Sequence, residues 1–338
     1  MHSTQFDLTT LYDNHGRPIN YVRLAVTDRC NLRCFYCMPE EGIRYLPKKH
    51  LLTFEEIERL ISILASMGVS KVRLTGGEPF VRNDLMQLIE KIAGIPGIQD
   101  LHLTTNGVLT APHVPLLKKL GIASVNLSLD TLDRTRFHNI TRRDEFGPVM
   151  ETLHLLLEYK IPIKINAVVM EGKNIEDIIP LIELSKNYPV DIRFIEEMPF
   201  NGEGNHYPTL KWTYKKILQY IESHYPTLTK IPDAPFSTSY NYRVPGYAGN
   251  IGVIAAFSRT FCGTCNRIRV TAQGLLKTCL YDDGVLDIRQ LLRSGVDDEE
   301  IKHQLMGAFK SRVKDGFEAE RKRHNHLPVS ESMSTIGG

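Results

Sequence analysis

The sequence predicts an α/β fold built on a parallel sheet, on three observations. Six short β-branched runs recur between residues 21 and 197, amphipathic helical patterns separate them, and the polar, chemistry-bearing residues follow the strands. Parallel α/β folds place their ligands at the carboxyl ends of the strands, so the third observation also says where a site belongs. The cadence leaves two closures open, a doubly wound open sheet or a barrel.

The runs are YVRLAVT (21–27), SKVRLTG (70–76), DLHLTTN (100–106), SVNLSLD (124–130), PIKINAVV (162–169) and DIRFIEE (191–197). The best-marked helix opens at Thr53 with Glu56 three residues on, a capping box. It carries Ile57, Leu60, Ile61 and Leu64 on one face and ends at Gly68, so it can cover a sheet. A cysteine triad follows the first strand, GGEP (76–79) the second and Thr104 to Gly107 the third, while SLD (128–130) ends the fourth.

Between residues 232 and 250 the text turns rich in Pro, Ser, Tyr and Gly, which predicts a boundary between a core of residues 1–240 and a smaller unit of residues 241–338. The second unit reads as short strands (GVIAAFS, RIRVTAQG, LLKTCL) followed by two helices and a polar tail, SESMSTIGG, with no core signal.

Length and composition exclude several classes. A chain of 338 residues with 42% hydrophobic and 24% charged residues buries a sizeable core, unlike a disordered or fibrous chain. Its 41 Lys and Arg against 39 Asp and Glu leave a net charge of +2, too little to gather nucleic acid or anionic lipid, so an anionic partner needs local arginines. The opening residues lack a secretory pattern and no run approaches the roughly 20 apolar residues of a membrane span, giving a cytoplasmic expectation without membrane partners. The basic run RKRHNH (321–326) reads as a solvated face.

All six cysteines fall into two triads: Cys30, Cys34 and Cys37, and Cys262, Cys265 and Cys279. A reducing compartment and a large core make disulfides unnecessary, so the thiols read as metal ligands. Structural zinc wants four closed ligands, and neither triad supplies a fourth locally: His15 and His50, the histidines nearest the first triad, lie at least thirteen residues away. An iron–sulfur cluster held by three thiolates keeps one iron free for a small molecule, which accounts for an incomplete set. Zinc stays open as the plainer reading, more so for the second triad. A thioredoxin-like pair is disfavoured because an arginine-rich strand, not a helix, follows CGTC.

The spacing Cys30-x3-Cys34-x2-Cys37 with Tyr36 before the last thiol, together with GGEP, resembles the radical S-adenosylmethionine (SAM) superfamily. Within it, the second triad, CNRIRVTAQGLLKTCL (265–280), RLTGGEPFVR, LTTNG, SLDTLD and the terminal Gly337-Gly338 are similar to the GTP 3′,8-cyclases of molybdenum cofactor biosynthesis, over nearly the whole chain. The resemblance implies a partial parallel (β/α)6 TIM-like barrel whose C-terminal unit carries a second 4Fe–4S cluster. It implies two 4Fe–4S clusters and SAM as cofactors, cleavage of SAM to methionine and a 5′-deoxyadenosyl radical, and closure of the GTP ribose onto C8 of guanine. It further implies a reducing electron donor and a downstream cyclic pyranopterin monophosphate synthase; a second copy of the chain is a candidate partner.

GTP brings about four negative charges, which converging guanidiniums and ammoniums would hold. The resemblance carries GTP contacts to Arg23, Arg73, Thr104, Lys164, Arg267 and Arg269, of which the last two leave one face of a strand. It carries SAM contacts to Tyr36, Gly77, Ser128 and Met198, and catalytic roles to Arg193, Gly337 and Gly338. The plainer readings are a salt-bridged face for the strand arginines and a core position for Met198. Rival functions are a radical SAM enzyme acting on a peptide or another small molecule, disfavoured by the arginine pair after Cys265, and a zinc- or cluster-bearing nucleic-acid module, disfavoured by near-neutral charge.

Overall fold

The structure is a computed structural model that describes residues 10–200, 210–323 and 331–337. Six strands lie parallel and in sequence order: β1 (Tyr21–Ala25), β2 (Lys71–Thr75), β3 (Asp100–Thr105), β4 (Ser124–Ser128), β5 (Ile163–Val169) and β6 (Val190–Glu196). They match the six predicted runs. Six more are β7 (Thr229–Lys230), β8 (Ser239–Arg243), β9 (Ile251–Ile254), β10 (Arg267–Val270), β11 (Leu275–Lys277) and β12 (Leu286–Asp287). The sheet order β12-β11-β10-β1-β2-β3-β4-β5-β6-β9-β8-β7 has two edges, so it does not close and the core is a partial barrel.

The helix after β1, Phe54–Ser66, shows why the pattern works. The Glu56 amide donates to Thr53 Oγ1 at 3.2 Å and the Thr53 amide to Glu56 Oε2 at 2.7 Å, so the capping box satisfies both ends. Ile57, Leu60, Ile61 and Leu64 are fully buried in one apolar cluster with Val22, Leu24, Val72 and Leu74 of the sheet, each side chain stabilising by about 1.5–3 kcal/mol. Gly68, at φ +104°, reverses the chain where a side chain would be strained.

Since apolar strand residues face the helices, the alternate residues face the barrel interior, and those are polar. Strand β5 shows it plainly: Ile163, Ile165, Ala167 and Val169 are buried while Lys164 and Asn166 take the other face.

Residues after 239 do not sit apart from this sheet. Strand β9 extends it parallel to β6, β10 extends it parallel to β1, and β8 and β11 add antiparallel partners outside them. The predicted boundary region, 232–250, therefore includes a strand of the same sheet, β8, paired with both β7 and β9. Residues 331–337, which read as a polar end without core signal, fold back through a short helix, Met333–Ile336, with Ser332, Ser334 and Ile336 all buried. Among the described residues no helix is long and apolar enough to cross a membrane.

Candidate active site

The first triad sits on the loop after β1, and three motifs distant in sequence interlock around it. The Gly77 amide donates to the Thr27 carbonyl at 2.9 Å and the Glu78 amide to the Arg29 carbonyl at 2.7 Å, laying the GGEP turn flush on the segment that leads into Cys30. Glu78, fully buried, accepts from the Asn106 amide at 2.7 Å and from Thr105 Oγ1 at 2.8 Å. Asn106 in turn donates to Asn31 Oδ1 at 2.8 Å and approaches Cys30 Sγ at 3.7 Å. Arg33 closes the loop by donating to the Cys30 and Leu32 carbonyls.

All six thiols are free. Burial and then the nearby Glu78 charge push Cys30 up to about 12, while burial, Asp130 and the neighbouring thiols push Cys34 well above the usual range. Such thiols ionise only with a cation among them, which suits a metal centre. Tyr36 donates to Asp130 Oδ2 at 2.8 Å, and Asp130 Oδ1 accepts the Val168 amide at 2.8 Å, so the ring next to Cys37 is tied to the ends of β4 and β5.

Glu78 yields a pH prediction. Burial pushes its carboxyl from 4.5 up to about 7 even though the amides of Asn106 and Phe80 and the Thr105 hydroxyl donate to it. A group whose folded pKa is raised binds a proton on folding, so stability falls as pH rises through that window, 4.5 to about 7. Glu78→Gln is expected to flatten this slope in a series of Tm against pH; parallel curves for the two chains would refute the assignment.

The second triad flanks the start of β10 and the end of β11, at the amino-terminal end of the parallel strands. Cys262 and Cys265 bracket a tight turn in which the Cys265 amide donates to the Cys262 carbonyl at 3.2 Å, and Asp282 Oδ2 accepts the Thr278 and Cys279 amides to shape the third position. Burial alone would raise the Cys265 thiol, but the guanidiniums of Arg267 and Arg312 pull it down to about 6. Among the described residues no three His, Cys, Asp or Glu side chains are grouped closely enough to hold a single metal ion. A cubane has separate irons, each taking one thiolate, and makes no such demand.

A cavity of about 340 Å³ opens in front of the second triad. Sheet register explains its walls. Arg269, Arg23 and Arg73 are neighbours across β10, β1 and β2, Arg267 pairs with Tyr21 and then Lys71, and Lys164 and Arg193 enter from β5 and β6. These cations crowd each other. Burial first, and then Arg269, drives Arg23 well below its usual range; Arg193 and Arg269 fall to about 10 and Lys164 to about 8, burial leading in each case. Tyr21, which burial would raise, is instead drawn to about 7 by Arg73 and Arg23. Like charges about 4 Å apart repel by about 4 kcal/mol at an intermediate dielectric, so a polyanion in this cavity relieves a strain built into the fold. The chain's overall charge of +2 gave no sign of it.

Several buried atoms lack a hydrogen-bond partner among the described residues: Thr104 Oγ1, Asn126 Oδ1, Asn166 Oδ1 and Arg193 Nε. Thr104, Asn126 and Lys164 are register partners across β3, β4 and β5, and Ser128, Asn166 and Arg193 across β4, β5 and β6. Unpaired polar atoms in a protein interior are rare, and these leave a row of donors and acceptors without partners among the described residues. Asn126 and Asn166 line the cavity yet were missed in the sequence reading, although strand alternation in phase with Ser128 and Lys164 would have found them. Tyr21 and Lys71 were missed likewise.

The structure brings Arg23, Arg73, Lys164, Arg193, Arg267, Arg269, Met198 and the second triad onto one cavity, whereas the first triad, Tyr36, Gly77, Ser128 and Thr104 are not among its lining residues. Gly337 reaches the same place: its carbonyl accepts from Arg269 Nη1 at 2.6 Å, and a Cβ there would stand 2.8 Å from Thr75 Cγ2. Ser332 donates to the Cys37 carbonyl at 2.7 Å, so the tail touches the first triad's loop and a cavity arginine at once. Gly338 lies outside the described residues.

Residues 24–185 match the Radical SAM superfamily and residues 190–317 match Molybdenum Cofactor Synthesis C. The chain is 42% identical over 312 residues to molybdenum cofactor biosynthesis protein 1 of Mus musculus, covering 90% of this chain and 48% of that protein. It thus spans about half the length of the animal relatives it matches. It is 42% identical over 343 residues to the GTP 3′,8-cyclase of Syntrophomonas wolfei, covering 97% of this chain and 100% of that one. SuiB of Streptococcus suis bound to S-adenosylmethionine superposes with a TM-score of 0.59 at 17% identity, over 88% of this chain and 69% of that one, a likeness of fold alone.

Proposed function

Because the chain belongs to the radical SAM superfamily and, within it, to the GTP 3′,8-cyclases of molybdenum cofactor biosynthesis, we propose that it cyclises GTP to (8S)-3′,8-cyclo-7,8-dihydroguanosine 5′-triphosphate. The observation that carries this reading is the cavity ringed by arginines and lysines in front of the second cysteine triad. Its volume of about 340 Å³ lies within the roughly 300–1,000 Å³ of small-molecule sites, and its charge suits a triphosphate better than a peptide.

Cys30, Cys34 and Cys37 would hold one 4Fe–4S cluster and Cys262, Cys265 and Cys279 a second. Together with SAM, the first cluster supplies abstraction of hydrogen from an unactivated carbon when both are bound. The protein's own residues do the rest. Tyr36, oriented by Asp130, the backbone at Gly77, Ser128 and Met198 would bound the SAM site. Arg23, Arg73, Lys164, Arg267 and Arg269 would grip the triphosphate, and Thr104, with Asn126 and Asn166, would satisfy polar edges of the ligands. Arg193, whose Nε is buried without a hydrogen-bond partner among the described residues, would sit against the reacting nucleotide, and Gly337 and Gly338 would close the mouth. Shielding by the barrel wall and Met333 would keep water from the reacting carbon. A one-electron donor would feed the first cluster, and a cyclic pyranopterin monophosphate synthase would take the product.

The test is to incubate the anaerobically reconstituted chain with SAM, reductant and GTP and assay 5′-deoxyadenosine and cyclised nucleotide. A chain lacking Gly337 and Gly338 is expected to keep deoxyadenosine formation and lose most of the product. Deoxyadenosine from the full chain without a GTP product would discard the substrate, and equal cyclisation by both chains would discard the role of the tail.

A further inference from the structure

An ion network forms part of the cavity wall, where Arg17 and Arg312 line it, and no candidate residue of the sequence belongs to its centre. Asp13, its side chain fully buried, accepts from Arg17 Nε at 2.7 Å and Arg312 Nη1 at 3.2 Å on Oδ2, and from the amides of His15 and Arg17 at 2.8 and 2.9 Å on Oδ1. Both guanidiniums are themselves nearly inaccessible, with side-chain exposures of 6% and 2%.

Their remaining donors reach the backbone around the second triad and, from Arg17 Nη1 and Nη2, the Lys314 and Val313 carbonyls at 2.7 and 2.8 Å. Arg17 Nη1 donates to the Cys262 carbonyl at 3.1 Å. Arg312 donates to the Cys265 carbonyl at 3.0 Å, to Cys265 Sγ at 3.3 Å, to the Arg267 carbonyl at 2.8 Å and to the Thr278 carbonyl at 2.9 Å. The Thr278 carbonyl belongs to the peptide that leads into Cys279. One carboxylate thus fixes two arginine forks, and the forks touch the backbone beside all three cysteines.

Stability alone does not explain this arrangement, because apolar residues of similar volume commonly replace a buried ion network at no loss. What apolar residues cannot do is hold carbonyls and a sulfur at set positions. The residues around Asp13 form a hairpin, in which the Ile19 amide donates to the Leu11 carbonyl at 2.7 Å, that runs directly into β1, whose Tyr21 and Arg23 pair with Arg267 and Arg269. The same network therefore sets the second triad against the cavity cations.

We propose that Asp13, Arg17 and Arg312 are positioning residues for a metal cluster on Cys262, Cys265 and Cys279, and that Arg312 donates to the cluster's Cys265 ligand. This rests on the two-cluster reading above. Hydrogen bonds to ligand sulfurs and partners of the ligands tune a cluster's potential and affinity.

The test compares the full chain with its Arg312→Lys and Asp13→Asn variants after anaerobic reconstitution, reading iron and sulfide per chain, the electron paramagnetic resonance spectrum of the reduced protein, and deoxyadenosine formed from SAM without GTP. The parent chain is expected to hold about eight irons and each variant to drop toward about four, with iron affinity of the second site falling ~10–100-fold and deoxyadenosine formation retained. Arg312→Lys keeps the charge and most of the volume, so it carries the test if Asp13→Asn does not fold. Variants with about eight irons and an unaltered second-cluster spectrum would overturn the proposal. So would variants that lose both clusters together, since the network would then serve the fold at large. A parent chain that stops at about four irons would overturn the two-cluster reading itself, and the clamp with it.

Discussion

Cys37→Ser is expected to abolish deoxyadenosine formation from SAM while leaving the second cluster intact. Each thiolate of a three-cysteine site takes its own iron, and burial already opposes ionisation of the Cys37 thiol, so only a metal centre makes it a ligand. A serine hydroxyl ionises far less readily still and leaves that iron unprotected. The defect should stay local, because the motif lock around Cys30 runs through Glu78 and Asn106 and not through Cys37. Iron should fall from about eight to about four per chain, with the second cluster's spectrum unchanged. Continued turnover of SAM by the variant would place the reactive centre elsewhere.

Gly77→Ala is expected to remove most SAM cleavage and to lower Tm. A Cβ at this position would lie 2.2 Å from the Arg29 carbonyl oxygen and 3.0 Å from the Asp28 carbonyl oxygen. Both are backbone atoms of the segment entering Cys30, so no side chain can swing away. Relief requires parting the turn from that segment, which breaks the hydrogen bonds from the Gly77 and Glu78 amides at 2.9 and 2.7 Å. Overpacking of this kind costs about 1–3 kcal/mol. The larger effect is geometric, since a shift of about 1 Å in the loop holding the first triad costs ~100-fold in rate. Paired measurements of Tm and deoxyadenosine formation check it, and a variant equal to the parent in both would show that the turn and the cysteine loop move independently.

These outcomes bear on how much the sequence discloses. Period-2 alternation that singles out Arg267 and Arg269 applies equally to Asn126, Asn166, Tyr21 and Lys71, so their place on the cavity wall was available from the strand pattern and went unused. Gly77 was marked by its motif as a cofactor turn, but only the folded chain shows what a side chain there would strike. The tail misled because its composition is polar. Ser332 is buried at 3% exposure since its hydroxyl has found the Cys37 carbonyl, and buried polar groups with partners carry no hydrophobic signature.

What the residues alone determined is everything short-range: six parallel strands, a capped helix, two incomplete thiol sets and the phase of the strand arginines. Each depends on spacing within one or two turns of chain, where stereochemistry links position to direction. Tertiary structure decided the rest: that the sheet stays open, that strands from beyond residue 239 extend both its edges, and that Arg312 meets Asp13 across 299 residues. Contacts of that separation depend on how distant segments are brought together when the core packs, and no local pattern encodes which partner a buried guanidinium will find.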